Sequence, residues 1–161
     1  MNQKNPNRRQ MRRWMPVTFI VLSGVYPSDH WPDVKKLKLE PHFADYMAEA
    51  FKPLGVHLNV FQPTLPPGTE RSFTIQLIND EAHPLQGRLA LTLETAKGKV
   101  VARNGQDFSL PALGAAIVDL RLVIPDVAGK QTLKASAQAQ GKNREPATLS
   151  RRWVTVEKAN N

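Results

Sequence analysis

The segment Arg71-Ser-Phe-Thr-Ile-Gln-Leu-Ile-Asn79 alternates apolar and polar side chains, and it decides the fold. Phe73, Ile75 and Leu77 fall on one side of this period-two pattern, and the polar Ser72, Thr74 and Gln76 alternate with them on the other. Successive side chains of an extended strand point to opposite faces. The segment therefore predicts a β-strand with one buried face.

The same rhythm recurs from Gly55 to Val156, with Gly, Pro, Asn and Asp between the repeats. It predicts further strands at residues 56–60, 85–95, 100–103, around 108, 115–123, 131–140 and 147–156. Short strands at such spacing are typical of an antiparallel sandwich. We therefore predict an all-β protein whose residues 54–158 form an immunoglobulin-like β-sandwich of about 7–8 strands.

One short α-helix is predicted ahead of the sandwich, over residues 41–53. Pro41 suits the first helical position, where its missing N–H costs nothing, and Pro53 ends the helix. Apolar side chains follow the spacing of a single helical face: Phe43, Tyr46, Met47, Ala50 and Phe51. This helix stripe predicts packing, either against an edge of the sandwich or against another molecule through self-association.

Residues 1–40 form a basic tail, a short apolar segment and a loop. The first thirteen residues carry five of the 22 bases and none of the 14 acids, and Met15–Val25 is apolar. That order has the outline of an export signal, which favours a periplasmic or secreted location over a cytoplasmic one, whereas Val17–Leu22 also reads as a buried strand. The apolar run is too short for a membrane span, which needs about 20 residues.

Composition limits the kinds of partner and chemistry. A chain of 161 residues can bury a hydrophobic core without disulfides or structural metal ions. The lack of cysteine excludes disulfides. Outside the basic tail the net charge is only +3, because that part of the sequence contains 17 basic and 14 acidic residues. Those bases are scattered about one per strand with no interleaved aromatic platform, so we predict no nucleic-acid partner.

The acidic and histidine residues form no recognisable reaction centre in the sequence. A glycosidase needs two carboxyl groups about 5 to 9 Å apart, and no such pair can be nominated. His30, His42, His57 and His83 lack the close spacing of a metal motif. We therefore predict no catalytic residue, no metal site and no cofactor.

Several stretches together resemble the end of the catalytic barrel and the following sandwich of glycoside hydrolase family 2, in its β-mannosidase and exo-glucosaminidase branch. The similarity covers about 145 residues and rests on the order of weak motifs. These are Val17–Val25, Trp31-Pro32, Pro41–Phe51, Phe51–Val60, Pro66-Pro-Gly68, Gln76–Asp80, Gly98–Val101 and Ile124–Leu133. The segment Leu22–Asp29 departs from the family pattern, and the barrel strands that would carry the catalytic glutamates are missing.

The resemblance implies a non-catalytic accessory module that braces a catalytic barrel and makes weak contact with carbohydrate. It implies a sugar-edge role for Trp31. The residues themselves add candidate interface or sugar-edge roles for Phe43, Tyr46, Met47 and Phe51 on the helix stripe and for Trp153. The strands offer two aromatic side chains for a sugar platform, Phe61 and Trp153, and the size of Trp153 favours a core or interface position. The alternative hypothesis is a free-standing exported binding or adhesion module. The sequence leaves open whether Met1 is a true start.

Overall fold

A computed structural model of the protein describes residues 33, 35, 36, 38–141 and 146–157. The chain divides into two compact units, Met1–Lys52 and Pro53–Asn161. The described part of the first unit contains helix α1 (Phe43–Ala50) and an isolated bridge between Asp33 and Lys38. The described part of the second unit contains eight strands. The predicted strand at residues 17–22 lies outside the described residues.

Helix α1 is shorter at both ends than the predicted span of residues 41–53. Pro41 lies in the turn before it, and His42 is the N-cap with no side-chain hydrogen bond to the helix. Tyr46 N donates to His42 O at 3.1 Å, and Phe51 is the C-cap. Just after the helix, Lys52 Nζ forms an ion pair with Glu49 Oε2 of the last helical turn at 2.9 Å.

The second unit is built from strands with a buried and a polar face, as the alternation predicts. They are β1 (Leu54–Asn59), β2 (Thr64–Leu65), β3 (Glu70–Asn79), β4 (Leu85–Thr95), β5 (Val100–Leu110), β6 (Ala115–Val123), β7 (Gly129–Ala139) and β8 (Thr148–Val156). One sheet has the order β1-β3-β6 and the other the order β2-β8-β7-β4-β5. All pairs are antiparallel except β2–β8, a two-residue parallel pair that the sequence did not predict.

Strand β5 is one continuous element, so the prediction of separate strands at 100–103 and around 108 is wrong. Gly105 sits in its middle opposite Ala90, and a Cβ there would lie 2.6 Å from Leu89 O. A glycine inside a strand often marks such a close approach of two backbones. The Asn104-Gly105 pair therefore lies within a strand rather than in a turn.

The core lies between the two sheets and draws on both. The three-stranded sheet contributes fully buried residues such as Leu58, Ile75 and Leu77, and the five-stranded sheet contributes Leu91 and Leu133. Side chains on facing sheets interdigitate in such a sandwich, and their burial is the main stabilising term. The alternation seen in the sequence thus becomes a closed hydrophobic core.

Side chains join the two sheets differently on the two flanks. On one flank, Leu58 N of β1 donates to the nearly buried Ser150 Oγ of β8 at 3.1 Å. On the other, the exposed Asn104 of β5 accepts from Gly105 N at 2.7 Å through Oδ1 and donates to Arg121 O of β6 at 2.8 Å through Nδ2. Asn104 therefore occupies polar groups of both edge strands, which otherwise invite pairing with another chain.

Candidate binding face

The residues nominated from the sequence fall in different parts of the chain. Trp31 lies outside the described residues. On the helix stripe, Phe43 and Met47 are half-buried, whereas Tyr46 and Phe51 are exposed. These four belong to the first unit. Their roles in self-association or in contact with a barrel stay predictions.

Trp153 belongs to β8 in the second unit, and its side chain is 71% exposed. Of the two positions predicted for Trp153, core or interface, this exposure excludes the core, and the interface role stays a prediction. Val154 and Val156 of the same strand are buried, and the period of two turns Trp153 to the opposite, outer face of the sheet. The size of the indole favoured burial, but its position in the alternation outweighs its size.

Strand register fixes which side chains surround Trp153. Thr132 of β7 is its direct cross-strand partner. On β8, Arg151 and Thr155 flank it two residues away on the same face, and their partners on β7 are Lys134 and Lys130. Directly opposite side chains lie about 5 Å apart at Cβ, so these groups are the nearest neighbours of the indole on the sheet.

One buried ion-pair network fixes part of this surface. Lys134 Nζ pairs with Glu94 Oε1, and both side chains are largely buried. Thr92 donates its hydroxyl to the same Glu94 oxygen at 3.0 Å. The network holds the β4 and β7 side chains beside Trp153 in place. We call the outer surface of β8, β7, β4 and β5 around Trp153 the binding face.

Sequence reasoning missed the basic neighbours of Trp153. Each of β8, β7 and β5 carries one outward base at the same level of the sheet, and the sequence shows them only as bases scattered one per strand. The alternation of apolar and polar residues does predict that each of these bases points outward from the sheet. The cross-strand register was not, because it depends on which strands pair and on the bulge between Leu93 and Glu94.

Five carboxylates of the described residues form ion pairs with bases. The pairs are Asp33–Lys36, Glu49–Lys52, Glu70–Arg121, Glu94–Lys134 and Asp107–Arg88. Within the described residues no cluster of His, Asp and Glu could hold a metal ion. In that same part of the chain, no helix has the length and apolar character needed to cross a membrane.

Solved structures share the architecture at low sequence identity. The C-terminal domain of Wzt matches with a TM-score of 0.51 and 13% identity, covering 68% of this chain and 74% of that one. E. coli alpha-2-macroglobulin matches with a TM-score of 0.50 and 13% identity over 66% of this chain and 7% of that one. The protein has an immunoglobulin-like β-sandwich fold.

A third structure, the CARDB domain of a Pyrococcus furiosus protein, has a TM-score of 0.48 and 10% identity, covering 66% of this chain and 91% of that one. The sequence matches no family model and no curated protein. At these identities the structural likeness concerns the fold alone.

Proposed function

We propose that the chain is a non-catalytic accessory module of a family 2 glycoside hydrolase, which braces a catalytic domain and makes weak contact with carbohydrate. The family context comes from the order of sequence motifs between Val17 and Leu133. The support from the structure is a small all-β sandwich with its own closed core. Such a unit can hold a neighbouring domain without needing that domain to complete its core.

The observation that carries the carbohydrate contact is the exposed indole of Trp153. An indole 71% exposed on a strand leaves a large apolar surface in water. Hydroxyl groups of Thr132 and Thr155 and the charged ends of Lys130 and Arg151 surround it. An apolar plane ringed by hydrogen-bonding groups suits a sugar ring, which has an apolar face and a rim of hydroxyls.

Isolation of the protein from its native host under non-denaturing conditions tests the accessory role. We expect mass spectrometry to find the chain bound to, or continuous with, a polypeptide that carries a glycosidase barrel. We also expect the 161-residue chain alone to leave aryl glycosides unhydrolysed. Turnover that a single Asp→Asn or Glu→Gln substitution abolishes would contradict a non-catalytic role.

A second candidate function is a free-standing exported binding module. The observation in its favour is the basic stretch of residues 4–13 followed by the apolar run of residues 15–25. In that case the same isolation yields a chain below 18.0 kDa that lacks its first residues and has no hydrolase attached. The two candidates thus predict different masses for the native protein.

A further inference from the structure

The outer surface of the five-stranded sheet carries a row of basic side chains. Its three bases are Arg151 on β8, Lys134 on β7 and Arg103 on β5, and Thr92 of β4 is the cross-strand partner between the last two. Three strand spacings separate the first from the last, so the row spans about 14 Å. Lys130 adds a further positive charge beside Trp153.

Acidic side chains offset this row only in part. The outer face of the five-stranded sheet carries more bases than acids among the described residues. The bases are Arg88, Arg103, Lys130, Lys134 and Arg151, and the acids are Glu94 and Asp107. The carboxylates are already paired, Glu94 with Lys134 and Asp107 with Arg88. Among the described residues of this face, the exposed Arg103 and Lys130 therefore add positive charge that these two carboxylates do not offset, and this charge attracts anions.

The other sheet shows no such excess on its outer face. There Arg121 pairs with Glu70 at 3.6 Å, and Asp119 accepts a hydrogen bond from Thr74 Oγ1 at 2.6 Å. Its exposed apolar side chains are aliphatic, namely Val123 at 61% and Ile117 at 71%, the same fraction as Trp153. Positive charge and an aromatic plane thus coincide on one of the two outer faces.

Small side chains form a shallow trough beside the basic row. Ser136, Ala90 and Gly105 are cross-strand partners at the next level of β7, β4 and β5. A Cβ at position 105 would lie 2.6 Å from Leu89 O, so the close approach of the two strands requires glycine there. The low floor lets an extended chain lie across the strands alongside the bases.

We propose that the binding face binds an anionic polysaccharide across the strands, with one sugar ring on Trp153 and the acidic groups at the exposed Lys130 and Arg103. The inference rests on the proposed carbohydrate contact and names its ligand class. Trp153 is the one exposed indole among the described residues, which favours a polysaccharide over single-stranded nucleic acid, whose binding proteins stack successive bases on several aromatic side chains.

Titration of the full chain with polygalacturonate, dextran, poly(dT) and polyglutamate tests the proposal by calorimetry. We expect polygalacturonate to bind, dextran to bind at least about tenfold more weakly, and the affinity for polygalacturonate to fall as salt rises from low to physiological strength. Poly(dT) binding as tightly as polygalacturonate would assign the face to nucleic acid instead. Equal binding of polyglutamate would reduce it to an unspecific anion-binding surface. Either result overturns the proposal.

Matched variants separate the binding face from the rest of the surface. Trp153→Ala should weaken polygalacturonate binding about tenfold, whereas the equally exposed Ile117→Ala on the other sheet should leave it unchanged. Lys130→Gln with Arg103→Gln should weaken binding and flatten its salt dependence, and Arg121→Gln should do neither. Circular dichroism confirms that each variant is folded. Unchanged binding in folded Trp153→Ala would refute the assignment.

The outcome is independent of the accessory role. If the native protein is attached to a hydrolase but the chain does not bind polygalacturonate, the proposed ligand class is wrong and the accessory role stands. If the chain binds polygalacturonate through Trp153 but occurs without a hydrolase, the ligand class stands and the accessory role is wrong.

Discussion

The two ends of the sandwich each bury a primary amide, and the two amides are treated differently. Asn79, 1% exposed, ends β3, and its Nδ2 donates to His83 O and to Pro111 O, both at 2.8 Å. Its Oδ1 accepts from Glu81 N at 2.9 Å. Gln131, 4% exposed, lies at the other end near the start of β7 and donates from Nε2 to Val127 O at 3.2 Å. Its buried Oε1 has no hydrogen-bond partner among the described residues.

The difference shows which end is specified by polar contacts. Asn79 joins the end of β3 to the loop at 80–84 and to the loop at 111–114, so one side chain fixes three segments. Among the described residues, the side-chain amide of Gln131 hydrogen-bonds to Val127 O, which lies only four residues earlier in the chain. A satisfied buried amide specifies structure, whereas a half-satisfied one carries a desolvation cost.

Replacement of the satisfied amide should give the largest effect. Asn79→Ala removes three hydrogen bonds and leaves the backbone groups that formed them, two carbonyls and one N–H, without the side-chain amide. This should lower the unfolding free energy by about 3 kcal/mol. For a unit of about 100 residues, this lowers Tm by about 10 °C or more. Thermal unfolding followed by circular dichroism measures the change.

Gln76→Ala is the matched control, because Gln76 is an exposed amide on the same strand. We expect its unfolding free energy to stay within about 0.5 kcal/mol of the parent. If Asn79→Ala were as stable as Gln76→Ala, the loops at this end would be held by something other than the amide.

A methyl group at Gly114 should disturb the same end by crowding. A Cβ there would lie 2.4 Å from Pro111 Cγ and 3.0 Å from Pro111 O, the oxygen that Asn79 uses. Gly114→Ala should therefore destabilise the fold by about 2 kcal/mol through overpacking. Urea unfolding measures it, with Gly141→Ala as the control because an added Cβ there meets nothing within 4 Å. Equal midpoints for the two variants would contradict the crowding.

The two local contacts of Asn79 can be inferred from the sequence, whereas the distant contact cannot. An Asn before a turn is expected to bond nearby backbone, and Glu81 N lies two residues away. Pro111 O lies 32 residues away, and no local pattern brings it there. Strand faces were predictable for the same reason, since alternation is local.

Features that depend on pairing were beyond sequence reasoning. The row formed by Arg151, Lys134 and Arg103 needs the strand order and the register, both set by tertiary contacts. The parallel strand β2 has only two residues and too little pattern to detect. Residues 100–103 and the surroundings of Phe108 were predicted as separate strands, whereas pairing with β4 keeps Val100–Leu110 extended as one strand.

At the other end, removal of the half-satisfied amide should be tolerated. Gln131→Met keeps a similar volume, loses one hydrogen bond and removes the unpartnered oxygen, so the unfolding free energy should stay the same or rise by up to about 1 kcal/mol. Urea unfolding beside Asn79→Met, a buried amide replaced in the same way, sharpens the comparison. A loss above about 2 kcal/mol in Gln131→Met would mean that Oε1 is satisfied after all.

The smallest expected effect concerns backbone strain at the Asn79 end. Leu113 has φ of 53°, a left-handed conformation that is costly for a residue with a Cβ, and its N donates to Glu81 O at 2.9 Å. Leu113→Gly relieves that strain but frees the unfolded chain, so it should change stability by less than about 1 kcal/mol. Leu113→Ala keeps the strain and removes the same exposed side-chain atoms beyond Cβ. Leu113→Gly should therefore be more stable than Leu113→Ala by about 0.5 kcal/mol in paired thermal melts, and the reverse order would show that this turn is unstrained.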